Sequence, residues 1–109
     1  MAVAYKILAQ SAPAATTPTD VYTVPASTSA AISCVSVCNR AATDKTFRLS
    51  VAIAGAAETD AQYVSYDTTV PANDTVFVKL GITLATTDVL RAYVSTADVS
   101  VNVFGGEVT

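Results

Sequence analysis

Phe47-Arg48-Leu49-Ser50-Val51-Ala52-Ile53-Ala54 carries an apolar side chain at every odd position and a polar or small one at every even position. Successive side chains of an extended strand leave on opposite faces. The period therefore predicts a strand with Phe47, Leu49, Val51 and Ile53 inward and Arg48, Ser50, Ala52 and Ala54 free on the outside. Ala is the best helix former, so Ala52–Ala61 competes as a helical turn, but Gly55 and the Thr59-Asp60 pair limit it to that.

The same alternation recurs on both sides of this stretch. Upstream, Ala30–Asn39 is a long β run joined to this strand by the hairpin turn Arg40–Asp44, and Tyr5–Gln10 and Val21–Val24 are shorter candidates. Ser11–Asp20, rich in Ala, Thr and Pro, reads as an extended surface connection or arm. Downstream, Gln62–Val70, Thr75–Leu80 and Ile82–Leu84 are separated by the turns Pro71–Asp74 and Ala85–Asp88 or broken by Gly81. Val89–Ser95 and Val99–Phe104 form a closing hairpin, and Gly105-Gly106 permits a bend or bulge before Glu107. About eight strands on this spacing predict an all-β antiparallel sandwich, immunoglobulin-like or jelly-roll, as one domain over residues 1–109.

Of the 109 residues, 51% are hydrophobic but only 14% are charged, well below the quarter or so usual in soluble domains. So sparse a charged coat predicts a surface hidden against copies of the chain or a partner. The face Arg48, Ser50, Ala52, Ala54 and the arm 11–20 are the expected contacts. Lys6, Arg40, Lys45, Arg48, Lys79 and Arg91 are dispersed and the net charge is −3, which disfavours nucleic acid. No apolar run reaches the ~18 residues of a membrane span, and Lys6 splits the only stretch that could serve as a signal core. The chain reads as made in the cytosol.

Chemistry-bearing residues are few. With no His, the usual general base and the commonest zinc ligand are missing. Cys34 and Cys38, on one predicted strand, lie about 13 Å apart by strand rise, too far for a disulfide. They read as two small buried or half-buried thiols. Glu58 and Asp60 share a loop, and Asp67 and Asp74 flank turns, where Asp ordinarily caps backbone rather than catalyses. Glu58-Thr59-Asp60 lacks the Gly and further ligands of a recognised calcium loop. Tyr63, Tyr66 and Tyr93 suggest a sugar platform, but Tyr63 and Tyr66 have opposite parity and are expected on different faces. No catalytic, cofactor or metal site is assigned, and the chain reads as a non-enzyme.

Several stretches nevertheless carry a likeness: residues 5–17, Asp20-Val-Tyr-Thr-Val-Pro-Ala26, Val37-Cys-Asn-Arg40, Tyr66-Asp-Thr68, Ala72-Asn-Asp-Thr75, Leu80-Gly-Ile-Thr-Leu-Ala85 and Val101-Asn-Val-Phe-Gly-Gly-Glu107. With these the whole chain resembles small β-sandwich virion proteins of tailed phages, cyanophages included. That resemblance implies a capsid decoration (cement) protein, often a homotrimer, whose partner is the major capsid protein or another virion protein. A tail, neck or fibre module is the second implication, and a carbohydrate-binding module is the reading from a different class.

Overall fold

Val, Thr and Ile, whose branched Cβ suits a pleated surface, dominate the segments between Gly, Pro and Asp turns. In the computed structural model, which describes residues 2–109, these segments form nine strands. They are β1 (Val3–Ser11), β2 (Thr19–Thr23), β3 (Ser29–Asn39), β4 (Lys45–Ala52), β5 (Tyr63–Val70), β6 (Thr75–Val78), β7 (Ile82–Leu84), β8 (Val89–Val94) and β9 (Val99–Val108). Two single-turn 3-10 helices, Ile53–Gly55 and Asp60–Gln62, replace the helical turn considered over residues 52–61.

The strands divide into two antiparallel sheets. One has the order β1-β9-β3-β6, with β7 also paired to β3, and the other β2-β8-β4-β5. Neither expected hairpin therefore forms: β3 and β4, like β8 and β9, are joined by a turn that crosses from one sheet to the other. Since β6 and β7 pair successive parts of β3, they act as one strand interrupted around Gly81. Counted so, the first strand pairs the last, the second the next to last, and so inward to the β4–β5 hairpin. A long hairpin rolled up in this way is the jelly roll, which decides between the two sandwich types expected.

Between the sheets lies a core of Phe47, Leu49, Leu90, Ile32 and a set of Val residues, including Val35, Val37, Val101 and Val103. Asn39 is also buried, and one side chain joins two turns. Its Nδ2 donates to Thr43 O, Val70 O and Pro71 O at 2.8, 3.0 and 3.2 Å, while its Oδ1 accepts from Ala41 N. The stretch expected to form an arm gives its ends to β1 and β2. Between them Pro13 is buried, Ala15 bridges to Val94, and Thr16 N donates to Val94 O at 2.8 Å. The segment is thereby fastened to its own sheet.

Gly105 and Gly106 do not bend the chain; β9 runs through both. The irregularities sit in its neighbours, where Leu8 of β1 and Ser33 of β3 are the unpaired residues of bulges at the level of Phe104. Ser33 Oγ donates to Phe104 O at 3.0 Å.

Candidate interaction face

The two outer faces of the sandwich differ in charge. Among the five strands of the β1-β9-β3-β6/β7 sheet the only charged residues are Lys6 and Glu107. Both lie at inward-facing register positions: Lys6 is opposite Gly105, and Ala4 opposite Glu107. Lys6 Nζ contacts Glu107 Oε1 at 2.6 Å, and the Tyr22 hydroxyl donates to Glu107 Oε2 at 2.5 Å. The lysine ammonium first, and the tyrosine hydrogen bond second, hold the Glu107 carboxyl below the usual carboxylate range. Burial, then Glu107 itself, pushes the Tyr22 phenol well above its ordinary value.

That leaves the outer face of this sheet without a charged strand residue. Its large side chains are apolar and open: Tyr5 is 86%, Phe77 61% and Ile7 54% exposed, joined by Val3 and Phe104. Strand parity explains the set, since Ile7 and Cys34 stand opposite Phe104, and Phe77 stands opposite Ser36. Between the large residues lie Ala31, Cys34, Ser36, Cys38 and Gly106. An open groove of ≈ 560 Å3 crosses it, bounded by Val3, Tyr5, Phe104, Gly106 and Val108, with Lys6 also lining it at the β1 edge. Cys34 and Cys38 are free and half-buried, both on this side of β3.

The other outer face, expected to be available, is occupied by the chain itself. Arg48 Nε bonds Asp67 Oδ1 at 2.6 Å, and Arg91 Nε bonds Asp20 Oδ1 at 2.8 Å. Arg91 also donates to Ala56 O and Gly55 O, clamping the 53–62 loop across the sheet. Under that loop Ser50 donates to Glu58 Oε1 at 2.6 Å, and both Ser50 and Ala52 are buried. Ile53, expected inward, is 81% exposed because the strand ends at Ala52 and the 3-10 turn carries it out. Of the four residues expected on this face only Ala54 is exposed, at the left-handed φ of 54°.

The expected separation of Tyr63 and Tyr66 is overturned. Their rings meet edge to face with centroids 4.8 Å apart. β5 shifts register against β4 twice, and at the second shift Ser65 pairs Leu49 while Tyr63 pairs Ser50, so the one extra residue, Val64, brings Tyr63 and Tyr66 to the same face. Tyr93, opposite Arg48 on β8, completes the group. The Arg48 guanidinium lies 4.2 Å from the Tyr66 centroid and 4.4 Å from that of Tyr93. One face of the Tyr66 ring and one of the Tyr93 ring are therefore taken by the arginine.

Three of the four acidic residues singled out in the sequence have structural partners. Glu58 accepts from Ser50, Asp67 from Arg48, and Asp74 from the backbone N–H of Thr75, while Asp60 begins an exposed 3-10 turn. Among the described residues no three His, Cys, Asp or Glu side chains come together as metal ligands, and no helix is long and apolar enough to cross a membrane.

No family model matches the chain, and no curated protein does. Among solved structures it is similar to a pentameric capsid protein isolated from metagenomic phage sequences, with 20% identity and a TM-score of 0.30. That match covers 96% of this chain, which spans 59% of the other.

Proposed function

We propose that this chain is a non-enzymatic structural building block of a phage particle, and specifically a capsid decoration (cement) protein. In this reading it seats the outer face of its β1-β9-β3-β6/β7 sheet on the assembled head. The observation that carries the reading is that face, uncharged along its strands and studded with Tyr5, Ile7, Phe77 and Phe104. Water-exposed apolar surface of this kind gains free energy when covered, without any bond chemistry. Many copies, each burying a modest patch, reinforce a shell through avidity. The jelly roll is used by viral capsid proteins but also by lectins, so the fold alone does not decide. The virion likeness of residues 5–17 and 101–107 adds to the reading, and the guanidinium on Tyr66 and Tyr93 weighs against a sugar platform.

Incubating purified protein with particles stripped of it, followed by sedimentation, tests the proposal. The wild-type chain is expected to pellet with the heads, and a Phe77→Lys, Phe104→Lys double variant to stay in the supernatant. Electron microscopy of the decorated particle gives the location. Density on the tail or neck would replace the cement role with a tail role, and no association with any part would end the virion reading.

A further inference from the structure

A jelly roll leaves four sheet edges, and each exposes a row of backbone N–H and C=O groups that could template another chain. Three of the four carry the usual protection. The β2 edge has five residues between Pro18 and Pro25. The β5 edge is broken by the Tyr66-Asp67 bulge, with Asp67 at φ 47°, and closed by Pro71. The β6/β7 edge consists of pieces of four and three residues.

The β1 edge is different. It is nine residues long, pairs only β9, and contains no proline. Val3 to Ile7 are all exposed and regular, since the bulge falls only at Leu8. The single charge there, Lys6, does not guard the edge, because its ammonium is drawn to Glu107 at 2.6 Å. A long regular apolar edge in a protein that protects its other three points to a strand added at this one.

We infer that the added strand is β1 of a second copy, running antiparallel about a two-fold axis normal to the sheet. Such an axis keeps outward residues of both copies on one side, and the registers it allows are few. Centring on Lys6 sets two ammonium groups against each other. Centring on Tyr5 sets Tyr5 against its own copy, Val3 against Ile7, and Lys6 against Ala4. Those are an aromatic pair, a β-branched pair and a cation facing a methyl, with no like charges opposed. Within β1 the Tyr5-centred pair overlaps only from Val3 to Ile7, about 17 Å by strand rise, a small contact, so the dimer is reversible rather than obligate.

Sedimentation equilibrium of the pure protein, with circular dichroism to verify folding, tests this without any phage particle. It therefore fails or succeeds apart from the decoration reading. The wild type is expected to exchange between the 11.2 kDa chain and its dimer. Tyr5→Lys, at a position that is 86% exposed, brings two cations together on the axis and weakens the dimer about tenfold or more. Phe77→Lys, on the far strand of the same face, leaves it unchanged. A strict monomer, a stable trimer, or a Phe77→Lys variant as weak as Tyr5→Lys would each overturn the inference.

Discussion

A Cβ built on Gly105 would stand 2.1 Å from Ala31 O and 3.0 Å from Ile32 Cα. Backbone occupies that space, held by the β3–β9 ladder beside the Ser33 bulge, so no side-chain rotation relieves the clash. Gly105→Ala is expected to cost about 3 kcal/mol in urea unfolding, the upper range for inserting a methyl group into a packed site. Gly81, with nothing within 4 Å, is the control, and Gly81→Ala is expected to change little. Tyr22 and Glu107 make a second residue-scale case. Tyr22→Phe leaves a buried carboxylate short of one donor and is expected to cost about 1.5–3 kcal/mol at neutral pH. The pH dependence follows from the signs. Glu107 lies below its ordinary 4.5 when folded, so its contribution is complete above that value and is lost as pH falls through the folded one. Tyr22 lies above its ordinary 10.0, so its contribution is complete below pH 10.0 and declines as pH rises beyond it. Unfolding titrations of wild type and Glu107→Gln check this: the variant is expected to lose less stability than the wild type on acidification from neutral pH.

At the scale of elements, regular alternation made most of the fold legible, and irregular residues hid the rest. Phe47, Leu49 and Val51 alternate as their period predicts, because nothing interrupts the β4–β8 ladder from Phe47 to Ala52. Parity counting failed for Tyr63 and Tyr66 because β5 bulges at Val64, a residue that carries no Gly or Pro marker. It failed again in placing Ser50 and Ala52 on a free face. What covers them is a loop of Ala, Gly, Thr and acidic residues whose clamp, Arg91, lies far along the chain. The charge-free face was foreshadowed only by the low charge count; its location needed the strand order. Turns follow a simpler rule, and one of them is strained. Thr87, between Thr86 and Asp88, has φ 70°, where a β-branched side chain crowds its own backbone. Asn and Gly tolerate that conformation, so Thr87→Asn is expected to stabilise the fold by about 1 kcal/mol and raise the melting temperature. An unchanged or lowered transition would show that the Thr87 hydroxyl bond to Thr86 O outweighs the backbone strain.

For the whole molecule, the significant asymmetry is between its two broad faces. Ion pairs, the guanidinium–tyrosine stack and the clamped loop lie on one side, and the other carries apolar and small uncharged residues. Interactions made by those faces respond to salt in opposite ways. Exposed charge pairs fade once the screening length falls to a few ångströms, about 3 Å at 1 M. Apolar contacts persist, and sulfate or phosphate strengthens them by exclusion from the surface. If the uncharged sheet face grips the particle, binding to stripped heads is expected to hold between about 0.1 and 1 M sodium chloride and to tighten in sulfate. A β1-paired dimer would present two such faces side by side on one surface, doubling the contact without adding charge. Titrating salt in the sedimentation assay separates the faces. Release at high sodium chloride would place the contact on the Arg48–Asp67 and Arg91–Asp20 side, whereas retention there, with loss on Phe104→Lys, places it on β9 and its neighbours.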